Sequence, residues 1–285
     1  MSIRKYLDRL EDLSGKEIIV TGGTSGIGLS LVKQLLYKNA KVVVLARNMK
    51  KAEEVKKSLL ESFTNPQISF IEYDQSDDES VKKAAIEVSE KHPHFDALVL
   101  NAGIAQRKKP VQYVDDYPLT IKTNLIGLNL FLKTLLPLLK ESHRFIFQGS
   151  LVAGWHLKKI KSYKDKNISL WQQYFISKAG VEALFYRYSQ SDVAQEFVLV
   201  EPGIAITGIV REFPKVIRFL ARLFSLFISH VPEKASLTAM MAVQSTTRDN
   251  SYIVPRGPFA WRGYPKFKKF PKKRIRSYLI DMLDE

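Results

Sequence analysis

The feature that most constrains this chain is an alternation. Short apolar, β-branched runs recur between longer segments of helical period, the pattern of βαβ units on a parallel sheet. The runs are Glu17–Val20, Lys41–Leu45, Ile68–Tyr73, Ala97–Leu100, Arg144–Gln148 and Phe197–Val200. Helices are expected between them near Leu29–Leu36, Lys50–Ser62, Glu79–Lys91, Leu119–Lys140 and Trp171–Tyr188. This order describes a doubly wound, Rossmann-like α/β sheet, whose ligands bind beyond the carboxyl ends of the strands. Candidate functional residues are therefore sought there.

With 285 residues, 45% of them hydrophobic, the chain can bury one substantial core, so a single domain is expected. The alternation runs through residues 1–250; beyond Asn250 proline, aromatic and basic residues replace it, and residues 251–285 read as a tail. No apolar stretch reaches the roughly eighteen residues of a membrane span. Met1–Leu13 is charged throughout, unlike a secretory leader, so a cytoplasmic protein is expected. Cysteine is absent, which removes disulfides and thiolate metal sites, and no metal is expected. The formal charge of +15 favours polyanionic partners: dinucleotide phosphates, nucleic acid or anionic lipid. It does not choose among them.

The first strand ends in Thr21-Gly22-Gly23-Thr24-Ser25-Gly26-Ile27-Gly28 and runs straight into an apolar-periodic helix. Glycines there permit a tight turn and close approach of backbone to a pyrophosphate set against the positive end of the helix dipole. A glycine-rich turn that serves packing alone would look the same, and context decides between the two. At the end of the second strand, where an NAD enzyme places an acid on the ribose hydroxyls, Ala46 is followed by Arg47. A guanidinium pairs with a 2′-phosphate that a carboxylate would repel, which favours NADP(H); a solvated loop cation is the alternative. Asp74 closes the third strand, where it can accept from an adenine amino group. Asn101-Ala102-Gly103 closes the fourth, where small residues let a cofactor lie against backbone. Both are also ordinary turn residues.

Tyr174 and Lys178 stand four residues apart on a helix and so share one face. An ammonium beside a phenol favours the ionised form, which suits proton exchange with a carbonyl being reduced. The pair is common by chance; its company gives it weight. Ser150 ends the fifth strand, where its hydroxyl can bond a substrate oxygen, and Asn124 lies inside a long helix where asparagine is a poor former. An asparagine bonded to its own backbone is the alternative for the latter.

Taken in order, T-G-x-x-x-G-x-G, N-A-G, an N-x-x-G helix, a strand-end serine, Y-x-x-x-K and P-G-x-x-x-T resemble the short-chain dehydrogenase/reductase family over residues 15 to 210. The resemblance implies an oxidoreductase acting on CH–OH groups, with NADP(H) held by Gly22, Thr24, Ser25, Gly26, Ile27, Gly28, Arg47, Asp74, Asn101, Ala102 and Gly103. It implies Tyr174 as acid/base, with Lys178 lowering its pKa and holding the nicotinamide ribose. Ser150 would orient the carbonyl, Asn124 would support a proton-relay water, and Pro202, Gly203 and Thr207 would line the nicotinamide. An alternative alignment puts Leu151 at the serine's place. The long spacing from Ser150 to Tyr174 is similar to the retinol-dehydrogenase-like branch, whose members act on lipophilic alcohols and carbonyls.

Residues 208–231 fall where that family carries a substrate-covering helix. Within them Phe213–Ile228 is almost wholly apolar, apart from a stripe of Lys215, Arg218 and Arg222. Three readings stand: a lid over a lipophilic substrate, a helix in a membrane interface with Phe219, Phe224 and Phe227 in the acyl boundary, or a helix packed on the core or on another subunit of a homo-oligomer. From Ser251 to Arg276 there are nine Lys or Arg and no acid, interleaved with Trp261, Tyr264, Phe267 and Phe270. A core-covering or solvated tail, a membrane-surface tail and a single-stranded nucleic-acid surface all fit this composition, the last least well. Against the reductase stands one other function class, a dinucleotide-binding regulatory or surface-binding module without catalysis.

Overall fold

The six apolar runs of the sequence become parallel strands, five of them buried on both faces and the third, at the sheet edge, half-buried. The structure, a computed structural model, describes residues 1–106, 109–154, 160, 162–191, 194–203, 231–244, 251–257, 260–275 and 277–284. Its strands are β1 (Glu17–Thr21), β2 (Lys41–Ala46), β3 (Ile68–Glu72), β4 (Ala97–Leu100), β5 (Tyr113–Val114), β6 (Tyr117–Pro118), β7 (Arg144–Gln148), β8 (Glu196–Val200), β9 (Ser251–Pro255) and β10 (Pro265–Lys269). The described helices are α1 (Ile3–Leu7), α2 (Gly26–Tyr37), α3 (Met49–Ser62), α4 (Asp78–Lys91), α5 (Leu119–Ile121), α6 (Gly127–Leu135), α7 (Leu170–Ser189), α8 (Pro232–Ala235), α9 (Leu237–Gln244) and α10 (Ser277–Asp281). None is long and apolar enough to cross a membrane.

The main sheet has the order β10-β9-β8-β7-β4-β1-β2-β3, all parallel except the pairing of β10 with β9. Successive residues point to opposite faces. On β1, Ile18 and Val20 therefore join Val42, Val44, Leu31 and Leu35 in one core layer, while Ile19 joins Val43, Leu45, Leu98, Phe131 and Leu184 in the other. The order reverses direction between β1 and β4. That switch point opens a crevice at the carboxyl ends of the two strands, the usual ligand position in such sheets.

Local chemistry fixes the helix starts. Asn48 accepts from Lys51 N (2.9 Å) at the head of α3, and Asp77 accepts from Glu79 N (3.0 Å) at the head of α4. Ser169 and Gln172 form a reciprocal capping box on α7. The helix expected over Leu119–Lys140 is not continuous. A π turn, Lys122–Ile126, separates α5 from α6, and a 3₁₀ turn carrying Pro137 ends the segment at Leu138.

The segment beyond Asn250, read from its composition as a tail, supplies the last two strands of the sheet and part of the core. Tyr252, Val254, Phe270 and Leu279 are buried in the layer that holds α7. Proline and lysine suit β10 because it is an edge strand. Residues 204–230, with Thr207, Arg222 and the apolar 213–228 stretch, lie outside the described residues.

The π turn sits where two elements cross. Gln75, in the loop after β3, donates from Nε2 to the Thr123 carbonyl (2.6 Å), and a Cβ on Gly127 would run into the Gln75 carbonyl oxygen. Gly127→Ala should therefore force the loop off the helix and destabilise the protein by about 1–3 kcal/mol, the range for an overpacked contact. Denaturant unfolding checks this; a midpoint equal to that of the parent would contradict the crossing.

Candidate active site

All of the described candidate residues lie at or beyond the carboxyl end of the sheet. The β1–α2 turn carries Gly22, Thr24, Ser25, Gly26, Ile27 and Gly28, and α2 starts inside it with Ser25 as its first cap. A Cβ on Gly28 would fall against the Gly22 carbonyl oxygen and 2.6 Å from Asn101 Nδ2, so only glycine fits. Asn101 bridges the two loops that border the crevice. Its Nδ2 donates to the carbonyls of Thr21 (2.9 Å) and Gly22 (3.3 Å), while Thr21 Oγ1 accepts from Ala102 N (2.9 Å). Asn101 thus binds loop to loop through its side chain, and the adjacent small residues leave the crevice open.

On the other side of β1, Arg47 and Asp74 face each other across the ends of β2 and β3, with Nε and Oδ2 3.9 Å apart. Asp74 Oδ1 is engaged by Ser76 N (2.9 Å) and Ser76 Oγ (2.7 Å), so one oxygen performs turn chemistry and the other faces the guanidinium. The Arg47 side chain is 60% exposed, which leaves it able to reorient toward a bound anion.

Beyond β4 and β7 the second group of candidates converges. The Ser150 hydroxyl stands near enough to the Tyr174 phenol to act on its ionisation. Burial raises the phenol above its ordinary pKa, and Ser150 opposes the rise. Lys178, which the four-residue spacing led us to expect as the group that lowers the phenol, has its own perturbation: burial pushes its ammonium down to about 8, against a smaller opposing pull from Glu182. Lys178 Nζ donates to the Gln148 carbonyl (3.1 Å) at the end of β7. Leu151 opens a 3₁₀ turn, Leu151–Gly154, directly after Ser150.

Asn124 projects from the π turn and clamps the loop that follows β4. Its Oδ1 accepts from Ile104 N (2.7 Å), and its Nδ2 donates to the Ile104 carbonyl (2.8 Å) and to Ser177 Oγ (3.0 Å). Ser177 Oγ in turn donates to the Tyr174 carbonyl (2.8 Å). The loop is thereby tied to the helix that carries Tyr174 and Lys178. A Cβ on Gly103 would stand 3.3 Å from Asn124 Oδ1 and 3.6 Å from Lys178 Nζ, so the missing side chain keeps open the space these groups face. Pro202 and Gly203 follow β8; Gly203 has φ +75° and approaches the Trp261 carbonyl oxygen too closely for a side chain.

Sequence reasoning did not single out Ser177, Glu182, Glu201, Tyr252 or Arg274, which surround the site from within. Glu182 carried a usable signal, standing one further helical turn from Lys178 on the same face. The carboxylates of Glu182 and Glu201 are 1% and 0% exposed.

The fold is that of a Rossmann-like oxidoreductase, with a glycine-lined crevice at the switch point and a tyrosine, a lysine and a serine at its far side. The chain matches the short chain dehydrogenase family over residues 16–216 and belongs to it. It is 30% identical over 269 residues to the short-chain dehydrogenase/reductase pkfC of Emericella nidulans, covering 86% of this chain and 85% of that protein. Two solved structures share the fold. A protein from Mycobacterium paratuberculosis aligns with TM-score 0.74 at 20% identity over 97% of this chain and 93% of its own. A short chain dehydrogenase from Burkholderia cenocepacia, in complex with NADP, aligns with TM-score 0.64 at 21% identity, over 82% and 93% of the respective chains.

Because Asn124 satisfies both backbone groups of Ile104, its loss leaves polar groups of a half-buried loop unpaired. Asn124→Ala should cost about 1–3 kcal/mol. Asn124→Asp should be as damaging, since it sets a carboxylate oxygen against the Ile104 carbonyl. Thermal and denaturant melts of both variants decide this, and parental stability in the aspartate variant would show that the clamp is not needed.

Proposed function

We propose that this protein is an NADP(H)-dependent oxidoreductase that interconverts an alcohol and a carbonyl on a lipophilic substrate, with Tyr174 as the acid/base. The observation that carries this reading is the convergence of the Ser150 hydroxyl on the Tyr174 phenol, with the Lys178 ammonium one helical turn along and Gly103 leaving space beside it. The pairing favours Ser150 over Leu151 as the donor to substrate.

The residues present fit a dinucleotide. Backbone of Gly22, Thr24, Ser25, Gly26 and Ile27 would cradle the pyrophosphate at the head of α2, with Gly28 giving clearance. Arg47 would pair with the 2′-phosphate, Asp74 would meet the adenine, and Asn101, Ala102 and Gly103 would border the ribose and nicotinamide; by resemblance to the family, Pro202, Gly203 and Thr207 would line the nicotinamide. That one structural neighbour is a complex with NADP is in keeping with this choice. When bound, NADPH supplies the hydride for carbonyl reduction.

The chain's own groups handle the proton and the charge. A phenol raised by burial is protonated at neutral pH, the form that can donate to an oxygen gaining negative charge. Ser150 donates a second hydrogen bond to that oxygen and holds it in line with the phenol. Lys178, with a pKa of about 8, is mostly cationic at neutral pH. One of its three donors goes to Gln148 and the others are left for the cofactor ribose and for the phenolate formed after transfer. The lipophilic substrate class rests on the apolar 213–228 sequence and on the long Ser150-to-Tyr174 spacing, similar to the retinol-dehydrogenase-like branch.

Titration of NADPH and NADH onto the protein should show tighter binding of NADPH. Arg47→Ala should weaken NADPH about tenfold, the low end for a charged hydrogen bond because the guanidinium is solvent-exposed. Equal affinities in the parent would overturn the cofactor assignment.

With NADPH and a panel of long-chain aldehydes and ketones, followed at the nicotinamide absorbance, Ser150→Ala should lose about 10²–10³ in kcat while keeping its NADPH affinity. A loss below about threefold, far short of that range, would remove Ser150 from the chemistry.

A further inference from the structure

The cations of the C-terminal segment look alike in sequence, yet one of them, Arg274, leaves solvent and enters the protein behind the catalytic serine. The 3₁₀ turn Lys272–Arg274 after β10 brings its guanidinium, 17% exposed, under the end of β7. There Nη2 meets Glu182 Oε1 (2.5 Å), Glu201 Oε1 (2.8 Å) and the Ser150 carbonyl (3.3 Å), while Nη1 donates to the Tyr252 hydroxyl (2.9 Å).

Each contact reaches a different part of the site. Ser150 is held through its own carbonyl, on the backbone that carries the hydroxyl beside Tyr174. Glu182 lies on α7 one turn beyond Lys178, its Oε1 3.7 Å from the Cβ position of Gly149, and its charge acts on the Lys178 ammonium. Glu201 ends β8 directly before Pro202 and Gly203. Burial and Glu201 push the Glu182 carboxyl up to about 8, and the nearby guanidinium is the largest opposing influence. Two buried carboxyl groups thus share the one guanidinium, and the Lys178 ammonium lies a helical turn from the first of them.

Such a group is an inefficient way to gain stability, because desolvating the ions offsets most of their attraction. What it does supply is geometry: the planar fork of an arginine can engage several acceptors at fixed angles, which an ammonium cannot. We propose that Arg274 is a positioning residue of the active site, fixing Ser150 through its carbonyl and holding Glu182 beneath Lys178, so that the C-terminal segment is part of the catalytic unit. The inference rests on the assignment of Ser150, Tyr174 and Lys178 made above.

The test compares Arg274→Lys, Arg274→Met and Tyr174→Phe in the full chain, measuring the NADPH Kd by fluorescence titration, and kcat and KM on the aldehyde or ketone that the parent reduces fastest. Tyr174→Phe is expected to bind NADPH and to lack turnover. Arg274→Lys keeps the charge and loses the fork. It should bind NADPH within about threefold of the parent and lose about 10- to 10²-fold in kcat, the scale set by a misplaced catalytic group, with KM little changed. Arg274→Met should lose more. Parental kcat in Arg274→Lys, with Tyr174→Phe inactive, overturns the positioning role and leaves the functional assignment standing. Loss of NADPH binding together with kcat in Arg274→Lys also overturns it, since the residue then serves the fold alone. An active Tyr174→Phe removes the functional assignment and the inference with it.

Discussion

The bond on which the rest of the site depends is the one that Asn101 makes across the switch point. Where β1 and β4 diverge, nothing in the sheet ladder joins the two loops that leave them, and their carbonyls would stand open in a partly buried crevice. One amide, donating to the Thr21 and Gly22 carbonyls, closes that gap, and Thr21 Oγ1 accepts from Ala102 N. The glycine turn on one side and the Gly103–Ile104 loop on the other are thereby held at a fixed separation. Asn124 and Ser177 then carry the constraint from Ile104 to α7 and the backbone of Tyr174. The glycine-lined crevice and the helix that carries Tyr174 are thus parts of one hydrogen-bonded chain.

Much of the fold was legible because it follows from period alone. Runs such as Lys41–Leu45 and Arg144–Gln148 could be read as strands since burial on both faces requires continuous apolar residues, and the observed strands differ from the reading by a residue or so. The breaks were not legible in the same way. The π turn at Lys122–Ile126 arises from tertiary demands: Lys122 must reach Asp78 (2.8 Å) and Asp115 (2.6 Å) while Asn124 reaches Ile104. A helical pattern records none of these partners. β10, and with it β9, was hidden by proline and lysine, residues that an edge strand such as β10 tolerates and that composition alone assigns to a tail.

The site divides along the same line. Tyr174, Lys178, Ser150, Asn124 and the glycine turn could be chosen from residue type and placement at strand ends, and the structure brings them to one end of the sheet. Two expectations changed in content. Asn101 and Asn124 were chosen for what they could offer a cofactor or a water, whereas their amides are engaged by backbone; and the groups acting on the Tyr174 phenol are burial and Ser150. Arg274 could not have been chosen at all. Among nine cations between Ser251 and Arg276, only the three-dimensional path of the chain shows that this one meets two buried carboxylates.

The central claim is that the crevice and the Ser150–Tyr174–Lys178 group serve one reaction, reduction of a carbonyl with a proton from the protein. Reduction of a long-chain aldehyde or ketone with NADPH deuterated at the transferable position, with the product alcohol analysed by mass spectrometry, tests it most directly. One deuterium on the carbinol carbon, dependent on Tyr174, is the result expected. NADPH binding without transfer of label to any carbonyl of the panel would contradict the account and leave a dinucleotide-binding protein without catalysis.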